Sequence, residues 1–431
     1  MDEAIDCYRR AAELRPDDVR YHDNLIYGLY FHPDYDPRKI RAETARWQRL
    51  HADPLKPLIR PHENDRDPRR RLRIGYVSPD FRNHAVSFFL APLIDAHDRA
   101  SFEIHCYASV RRADEMTERL RSAADVWHDC LALSDAALAE QIRADRIDIL
   151  VDLTMHMSDS RLLVFARKPT PVQVTYLAYC GTTGLEAMDY RITDVYLDPP
   201  DSDQTCYSEQ SVRLPWTHWC YEAPAVAPEV NPLPALAREA VTFGCLNNFC
   251  KVSPAALSTW GRLLRAVPGS RLLLHAREGR HRQHVLDVLG DQGIDPQRVE
   301  FVGHVPRPEY FALHHRIDIA LDPFPYGGGT TTCDALWMGV PVVSLAQDPA
   351  YSRAGLSLLS NVGLTELVAH SEDQYVTIAS ALAGDGERLK ELRATLRDRI
   401  RASPLMDAQA FARDVEAAYR AMWRRWCERP S

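Results

Sequence analysis

Two doubly wound α/β units joined by a proline-rich linker are the fold class that this 431-residue sequence predicts. Three observations predict it. Short apolar strands alternate with amphipathic helices from Arg71 to Tyr179; the same alternation restarts at Val241 and runs to Ala346; and the passage between, APAVAPEVNPLPALA (Ala223 to Ala237), interrupts it with prolines. Such alternation implies parallel sheets with helices on both faces.

The first sixty residues are of a different kind. Ala4, Tyr8, Ala11 and Ala12 recur at helical spacing before Leu14-Arg15-Pro16-Asp17-Asp18, and a second helix runs through Asn24, Leu25 and Leu29 to His32-Pro33. The pattern resembles the end of one tetratricopeptide repeat and the start of another, units that bury their faces by stacking. A helical cap on the next domain is the alternative reading, and both stand. Residues 1–60 are therefore expected as a helical segment and 71–222 as the first α/β lobe. The linker is expected over 223–237, the second lobe over 238–400, and a closing helix over 401–431.

Within the first lobe, RLRIGYVS (Arg71 to Ser78) reads as a strand and AVSFFLAPLIDA (Ala85 to Ala96) as a helix. FEIHCYAS, DILVDL (Asp148 to Leu153) and VQVTYLAY (Val172 to Tyr179) supply further strands. In the second, VTFGCLN (Val241 to Asn247) is a strand, and SPAALSTWGRLLRAV (Ser253 to Val267) is a helix with serine at its N-cap and proline at its first position. RLLLHA, VEFVGH, DIALDPF and VPVVSLA follow as strands. The last helix carries Phe411, Val415, Tyr419, Met422, Trp423 and Trp426 on one side, a stripe that must bury itself.

Composition narrows the function. With 45% hydrophobic residues the chain supports sizeable cores, and a net charge of −8 with pI near 6.1 argues against a broad nucleic-acid surface. No apolar run approaches the roughly 20 residues that span a bilayer, and MDEAIDCYRR lacks the pattern of a secretory leader, so a cytoplasmic location is expected. The ten cysteines are scattered without C-x-x-C or metal-ligand spacing and read as reduced core thiols; no metal site is expected.

Chemistry is expected where strands end, because ligands of doubly wound sheets bind beyond the carboxyl edges. His84 follows the strand ending at Ser78, His156 the strand ending at Leu153, and Gly181-Thr182-Thr183-Gly184 the strand ending near Tyr179. Asn248 and Lys251 follow the strand ending at Asn247, and GGGTTTCD (Gly327 to Asp334) follows DIALD. Gly328 and Gly329 would let the backbone approach a phosphate, while the first turn of a helix beginning near Thr331 offers free N–H groups and about +0.5 of an elementary charge. Asp334 suits ribose hydroxyls, and Lys251 suits a departing diphosphate. A tight turn with a threonine cap is the plainer alternative for the loop. The spacing is neither Walker A nor G-x-G-x-x-G. His275, His304, His314 and His315 lack a comparable setting.

Taken together, "IGYVSPDFRNHAVSFFL", "ILVDLTMHMSDSR", "PTPVQVTYLAYCGTTGLEAMDYRITD", "FGCLNNFCKVSP" and "DPFPYGGGTTTCDALWMGVPVVSL" resemble, in order, the catalytic region of the O-linked N-acetylglucosamine transferase family (glycosyltransferase family 41). The likeness runs from about Leu72 to Trp426. It implies the GT-B architecture, two Rossmann-like lobes around an interdomain cleft, and an inverting transfer from a UDP-sugar to Ser or Thr of a protein or peptide acceptor without a metal or other cofactor. By resemblance, Lys251 supports the diphosphate, Asn248 helps hold the nucleotide, Asp334 binds ribose, and Thr330 and Thr331 contact phosphate. Arg307 and Tyr310 stand in the loop that holds uracil, and His84 is the active-site histidine of the first lobe. His156 stands where animal members have tyrosine, while the family's other debated histidine aligns with Asp148. Gly329 replaces a histidine beside the donor. The alternatives are a UDP-glucose-dependent transfer to proteins or small molecules, and a degenerate nucleotide-sugar-binding module.

Overall fold

The computed structural model describes residues 1–429, which form two compact units: residues 1–221 with 407–429, and residues 222–406. In the first unit, seven parallel strands are ordered β3-β2-β1-β4-β5-β6-β7. They are β1 (Leu72–Ser78), β2 (Phe102–Ala108), β3 (Val126–Asp129), β4 (Ile149–Asp152), β5 (Val172–Thr175), β6 (Tyr190–Asp194) and β7 (Gln210–Leu214). The second unit carries β8 (Thr242–Cys245), β9 (Arg271–His275), β10 (Val299–Val302), β11 (Ile319–Leu321), β12 (Val342–Leu345) and β13 (Val368–Ala369). They are parallel and ordered β10-β9-β8-β11-β12-β13.

Each sheet starts at its centre, grows to one side for two strands, and then crosses back to the other. The order reverses between β1 and β4 in the first sheet and between β8 and β11 in the second. Chains leaving the carboxyl ends at such a point diverge and open a crevice. Both units are thus Rossmann-like, and the pair is of GT-B type.

The apolar runs behave as fully buried strands: every residue of β4, β5, β8 and β12 is buried. The strand expected through Tyr179 stops at Thr175, because Leu177 and Ala178 take left-handed backbone angles (φ 59° and 40°) that no ladder accommodates. Helix signals were read correctly at Ser253, whose hydroxyl accepts from Ala256 N at 3.1 Å to open Pro254–Ala266.

The terminal segments complete the first unit. The helix Ala408–Glu428 buries the stripe from Phe411 to Trp426; Tyr419 Oη meets Tyr76 Oη at 3.2 Å, and Glu416 Oε1 lies 2.9 Å from His97 Nδ1. The guanidinium groups of Arg66 and Arg70 cover Trp426 and Trp423, each at 4.7 Å. At the other end, helix Asp2–Leu14 packs on helix Val19–Leu29, and the ends of Val19–Leu29 and Pro37–Trp47 meet the loop after β5. Thr182 N donates to Tyr30 Oη (3.1 Å), and Glu186 N donates to Gln48 Oε1 (3.1 Å). A side chain at Gly181 would strike Tyr30 Oη at 2.4 Å, and one at Gly184 (φ +70°) would strike Thr44 Cβ at 2.3 Å. Those glycines are places of close helix approach.

Asp148 sits just before β4, at the amino end of the sheet and away from the crevice. Wholly buried, it accepts hydrogen bonds from Arg73 N (2.8 Å), Asn64 Nδ2 (2.7 Å) and Arg70 Nη1 (2.7 Å). Removing one member of such a pair leaves the other charge uncompensated. Asp148→Ala is expected to lower stability by about 3 kcal/mol, seen as an earlier urea transition of the first unit. An unchanged midpoint would remove the pair from the stabilising contacts.

Candidate functional site

In the second unit the loops after β8 and β11 leave the reversal point side by side. Asn248 opens the first by accepting from Cys250 N at 3.3 Å, which caps the short turn Phe249–Lys251 and presents Lys251. Lys251 Nζ donates to Gly327 O at 2.9 Å and lies 4.6 Å from the centre of the Tyr326 ring. Asn247 is buried; its Oδ1 accepts from Thr331 Oγ1 at 2.8 Å, joining the two loops.

The glycine loop is shaped by Asp322, the residue after β11. Its Oδ1 accepts from Gly328 N (2.7 Å), its Oδ2 accepts from Ser344 Oγ (2.8 Å), and its carbonyl accepts from Tyr375 Oη (3.1 Å). Burial pushes the Asp322 carboxyl up to about 6, against the pull of these donors and of Lys251. The approach is close: a Cβ on Gly328 would lie 2.6 Å from the hydroxyls of Thr331 and Thr332 and 2.9 Å from Asp322 Oδ1.

The helix Thr330–Trp337 then starts from Gly329 with no side-chain cap; Thr332 N donates to Gly329 O at 3.1 Å, and the N–H groups of Thr330 and Thr331 have no acceptor within the helix. The Thr331 hydroxyl serves Asn247 and not the helix, which sets aside the plainer reading of a threonine cap. Thr330 and Thr331 are half-buried, and Asp334 is 3% exposed. Tyr310, on the helix Arg307–Leu313, stands beside Asp334; its own burial, and after that the negative charge of Asp334, raise the phenol well above its ordinary range. The guanidinium of Arg307 stands 5.5 Å from the Phe311 ring, on the same helix. Lys251, Gly328, Gly329, Thr330, Thr331 and Asp334 thus fall on two adjoining loops and one helix start, with Tyr310 joined through Asp334.

The first unit places its two candidate histidines after neighbouring strands, in different surroundings. His84, partly exposed, caps the helix Ala85–Ala96 by accepting from Val86 N at 3.3 Å, and its Nδ1 lies 3.6 Å from Asp80 Oδ2. Burial lowers its pKa below the ordinary 6.5, with Asp80 opposing and Arg82 assisting, so the ring is neutral at pH 7. His156 is completely buried: Nε2 donates to Thr183 O (2.8 Å), Nδ1 lies 2.7 Å from Asp23 Oδ1, and Trp47 packs edge-on at 5.0 Å. It fastens the amino-terminal helices to the loop after β5. The hydroxyls of Thr182 and Thr183 in that loop are bound by Glu209 and turned inward.

Sequence reasoning missed Asn247 and Asp322, which hold the loops, and a groove of about 650 Å³ in the first unit. Its walls include Arg20, Arg111, Asp159 and Arg161, at the carboxyl ends of β2 and β4 and the turn before Val19. DIALD ends in Asp322, so its place at a strand terminus was the available signal; the groove draws on segments far apart in sequence and left none.

Two Rossmann-like units are present, and in the second a glycine loop, a helix start and a lysine gather at one reversal point, an arrangement suited to an anion. The family model for glycosyl transferase family 41 matches residues 20–227 and 232–415, and the chain belongs to that family. It is similar to a lysine-to-methionine mutant of the Thermobaculum terrenum O-GlcNAc transferase: TM-score 0.93, 41% identity, covering 99% of this chain and 82% of that one. It is 41% identical to the probable UDP-N-acetylglucosamine–peptide N-acetylglucosaminyltransferase SPINDLY of Petunia hybrida, over 85% of this chain and 40% of that protein. To the probable UDP-N-acetylglucosamine–peptide N-acetylglucosaminyltransferase SEC of Arabidopsis thaliana it is 31% identical, over 83% of this chain and 38% of that protein. The chain thus spans about two-fifths of the length of these curated relatives.

Gly328→Ala is expected to displace the Thr331 hydroxyl and weaken UDP binding at least about tenfold, or ~1.4 kcal/mol. Gly384→Ala, where a Cβ meets nothing within 4 Å, is the control. Calorimetric titration of both variants measures this; equal affinities would detach the glycine loop from nucleotide binding.

Proposed function

We propose that the chain transfers a sugar, N-acetylglucosamine as the leading choice, from a UDP-sugar to Ser or Thr hydroxyls of a protein or peptide, with inversion and without a metal. The observation that carries the reading is Lys251 Nζ held at 2.9 Å from Gly327 O, beside the uncapped start of the helix Thr330–Trp337. A cation and a set of free N–H groups at one point suit a diphosphate whose negative charge grows as the sugar departs. With those charges supplied by the protein, no divalent ion is called for at the diphosphate. Asp334, steadied by Tyr310, would take the ribose, and Asn248 and Arg307 would flank the nucleotide.

On the acceptor side, the neutral ring of His84 would receive or position the hydroxyl proton. His156, with both nitrogens engaged, would act as a positioning residue. The groove of about 650 Å³ in the first unit, with both arginines and carboxylates on its walls, suits a polar peptide. A cytoplasmic setting is part of this reading; among the described residues no helix is long and apolar enough to cross a membrane.

A second reading keeps the acceptor and changes the donor sugar, with UDP-glucose or GDP-fucose in place of UDP-N-acetylglucosamine.

The test offers UDP-N-acetylglucosamine, UDP-glucose and GDP-fucose in parallel with a bacterial protein pool, followed by peptide mass spectrometry. Sugar on Ser or Thr from the first donor is expected, with a rate unchanged by added magnesium or manganese. Lys251→Ala should lower that rate about 100-fold, or ~3 kcal/mol. Transfer from UDP-glucose or GDP-fucose alone would select the second reading, and no modification despite tight UDP binding would refute protein transfer.

The pH profile tests His84. The neutral ring is fully present above the ordinary pKa of 6.5 and is lost as pH falls through the lowered value. An acid limb below pH 6.5 is expected in kcat. His84→Asn, which keeps a capping oxygen, should slow transfer and abolish that limb; a limb that survives would remove His84 from proton handling.

A further inference from the structure

Glu103, His105 and Tyr107 share one face of β2, and the parallel register sets Tyr107 beside His128 on β3, the edge strand. The helix Asp135–Ala144 ends over this face at Asp145, whose Oδ2 accepts from Tyr107 Oη at 2.7 Å and lies 3.4 Å from His128 Nε2. The imidazoles of His105 and His128 stack with centres 5.9 Å apart, and Tyr107 lies parallel to His128 at 4.7 Å. One ligand atom from each of His105, His128 and Asp145 falls within 4.8 Å of the other two. Gln141 Nε2 donates to both Asp145 oxygens (3.0 and 3.2 Å), and Arg73 Nη1 donates to the Asp145 carbonyl (2.9 Å).

The histidines differ from ordinary core residues in what they leave unpaired. His105 is 5% exposed and donates from Nε2 to Glu103 Oε1 at 2.9 Å, which leaves Nδ1 as the acceptor nitrogen of a neutral ring. That Nδ1, and Nε2 of His128, are buried without a hydrogen-bond partner among the described residues. A buried nitrogen without a hydrogen bond is costly, and two that converge on one carboxylate suit an electrophile held among the three groups. The Glu103 carboxylate behind His105 is the partner that fixes tautomer and basicity in metal-bound histidines.

We propose that His105 Nδ1, His128 Nε2 and Asp145 Oδ2 bind a divalent transition-metal ion of zinc's class, with water completing the shell. Two imidazoles and a carboxylate suit zinc better than magnesium or calcium, which prefer all-oxygen shells. Bonds of about 2.0 Å in a tetrahedral site set ligand atoms about 3.3 Å apart, and the His128–Asp145 pair already stands at 3.4 Å. The ion would tie the edge strand β3 to β2 and to the end of the helix Asp135–Ala144. It belongs to the first unit's scaffold and plays no part in the diphosphate chemistry proposed for the second.

The experiment strips the full-length chain with a chelator under reducing conditions and titrates it with cobalt(II), then zinc. One equivalent of cobalt with the visible bands of a four-coordinate site and no thiolate charge-transfer band is expected, displaced by one equivalent of zinc. Thiolate bands matter because ten cysteines are present. His128→Ala, on the partly exposed edge strand, should lose that equivalent with an unchanged circular-dichroism spectrum. Glu103→Gln should retain it with 10- to 100-fold weaker affinity. Cobalt uptake equal in wild type and His128→Ala, uptake through thiolates, or no uptake by a folded wild type would each overturn the proposal.

Discussion

The second unit is organised around the hydrogen bond from Gly328 N to the buried carboxylate of Asp322. A carboxylate at that depth needs donors, and burial has already pushed its pKa up to about 6. The backbone of the glycine loop supplies one, Ser344 the other, and the loop can come that near only because Gly327 and Gly328 carry no side chain. Once the loop is drawn down on Asp322, Gly327 O is placed for Lys251, Thr331 for Asn247, and the helix starts at Thr330 with its N–H groups uncapped. In GGGTTTCD, Gly327 and Gly328 let the backbone reach a buried acid, and the helix that follows starts without a side-chain cap.

The first unit is built on the same topology and uses its loops differently. The loop after β5, which looks like a second phosphate cradle in sequence, has its hydroxyls bound by Glu209 and its glycines pressed against Tyr30 and Thr44. The amino-terminal helices occupy that side, with His156 and Asp23 as a buried clasp. Of the two candidate histidines His84 keeps partial exposure, whereas His156 is buried with both nitrogens engaged, which separates a group open to the surroundings from one that holds the frame.

Much of this was legible because parallel sheets write themselves plainly: buried strands are short apolar runs, and their ends can be counted off. The loop bearing Lys251 and the start of Thr330–Trp337 were found that way. What escaped depended on tertiary partners. Asn247, unlike its neighbour Asn248, carries no mark in the sequence, because adjacent asparagines are equivalent until a strand end decides which one turns inward. The Trp-rich stripe of the last helix announced burial without naming Tyr76 and His97 as its neighbours. His105, His128 and Asp145 lie about twenty residues apart in sequence, and only strand register and a helix end bring them together.

The central claim is that the diphosphate of a sugar nucleotide binds at the reversal point of the second sheet, on Lys251 and the start of Thr330–Trp337. A crystal structure of the UDP complex tests it most directly. The account predicts the β-phosphate within hydrogen-bond distance of Lys251 Nζ and of the N–H groups at Thr330 and Thr331. A diphosphate bound elsewhere, with Lys251 still on Gly327 O, would contradict it.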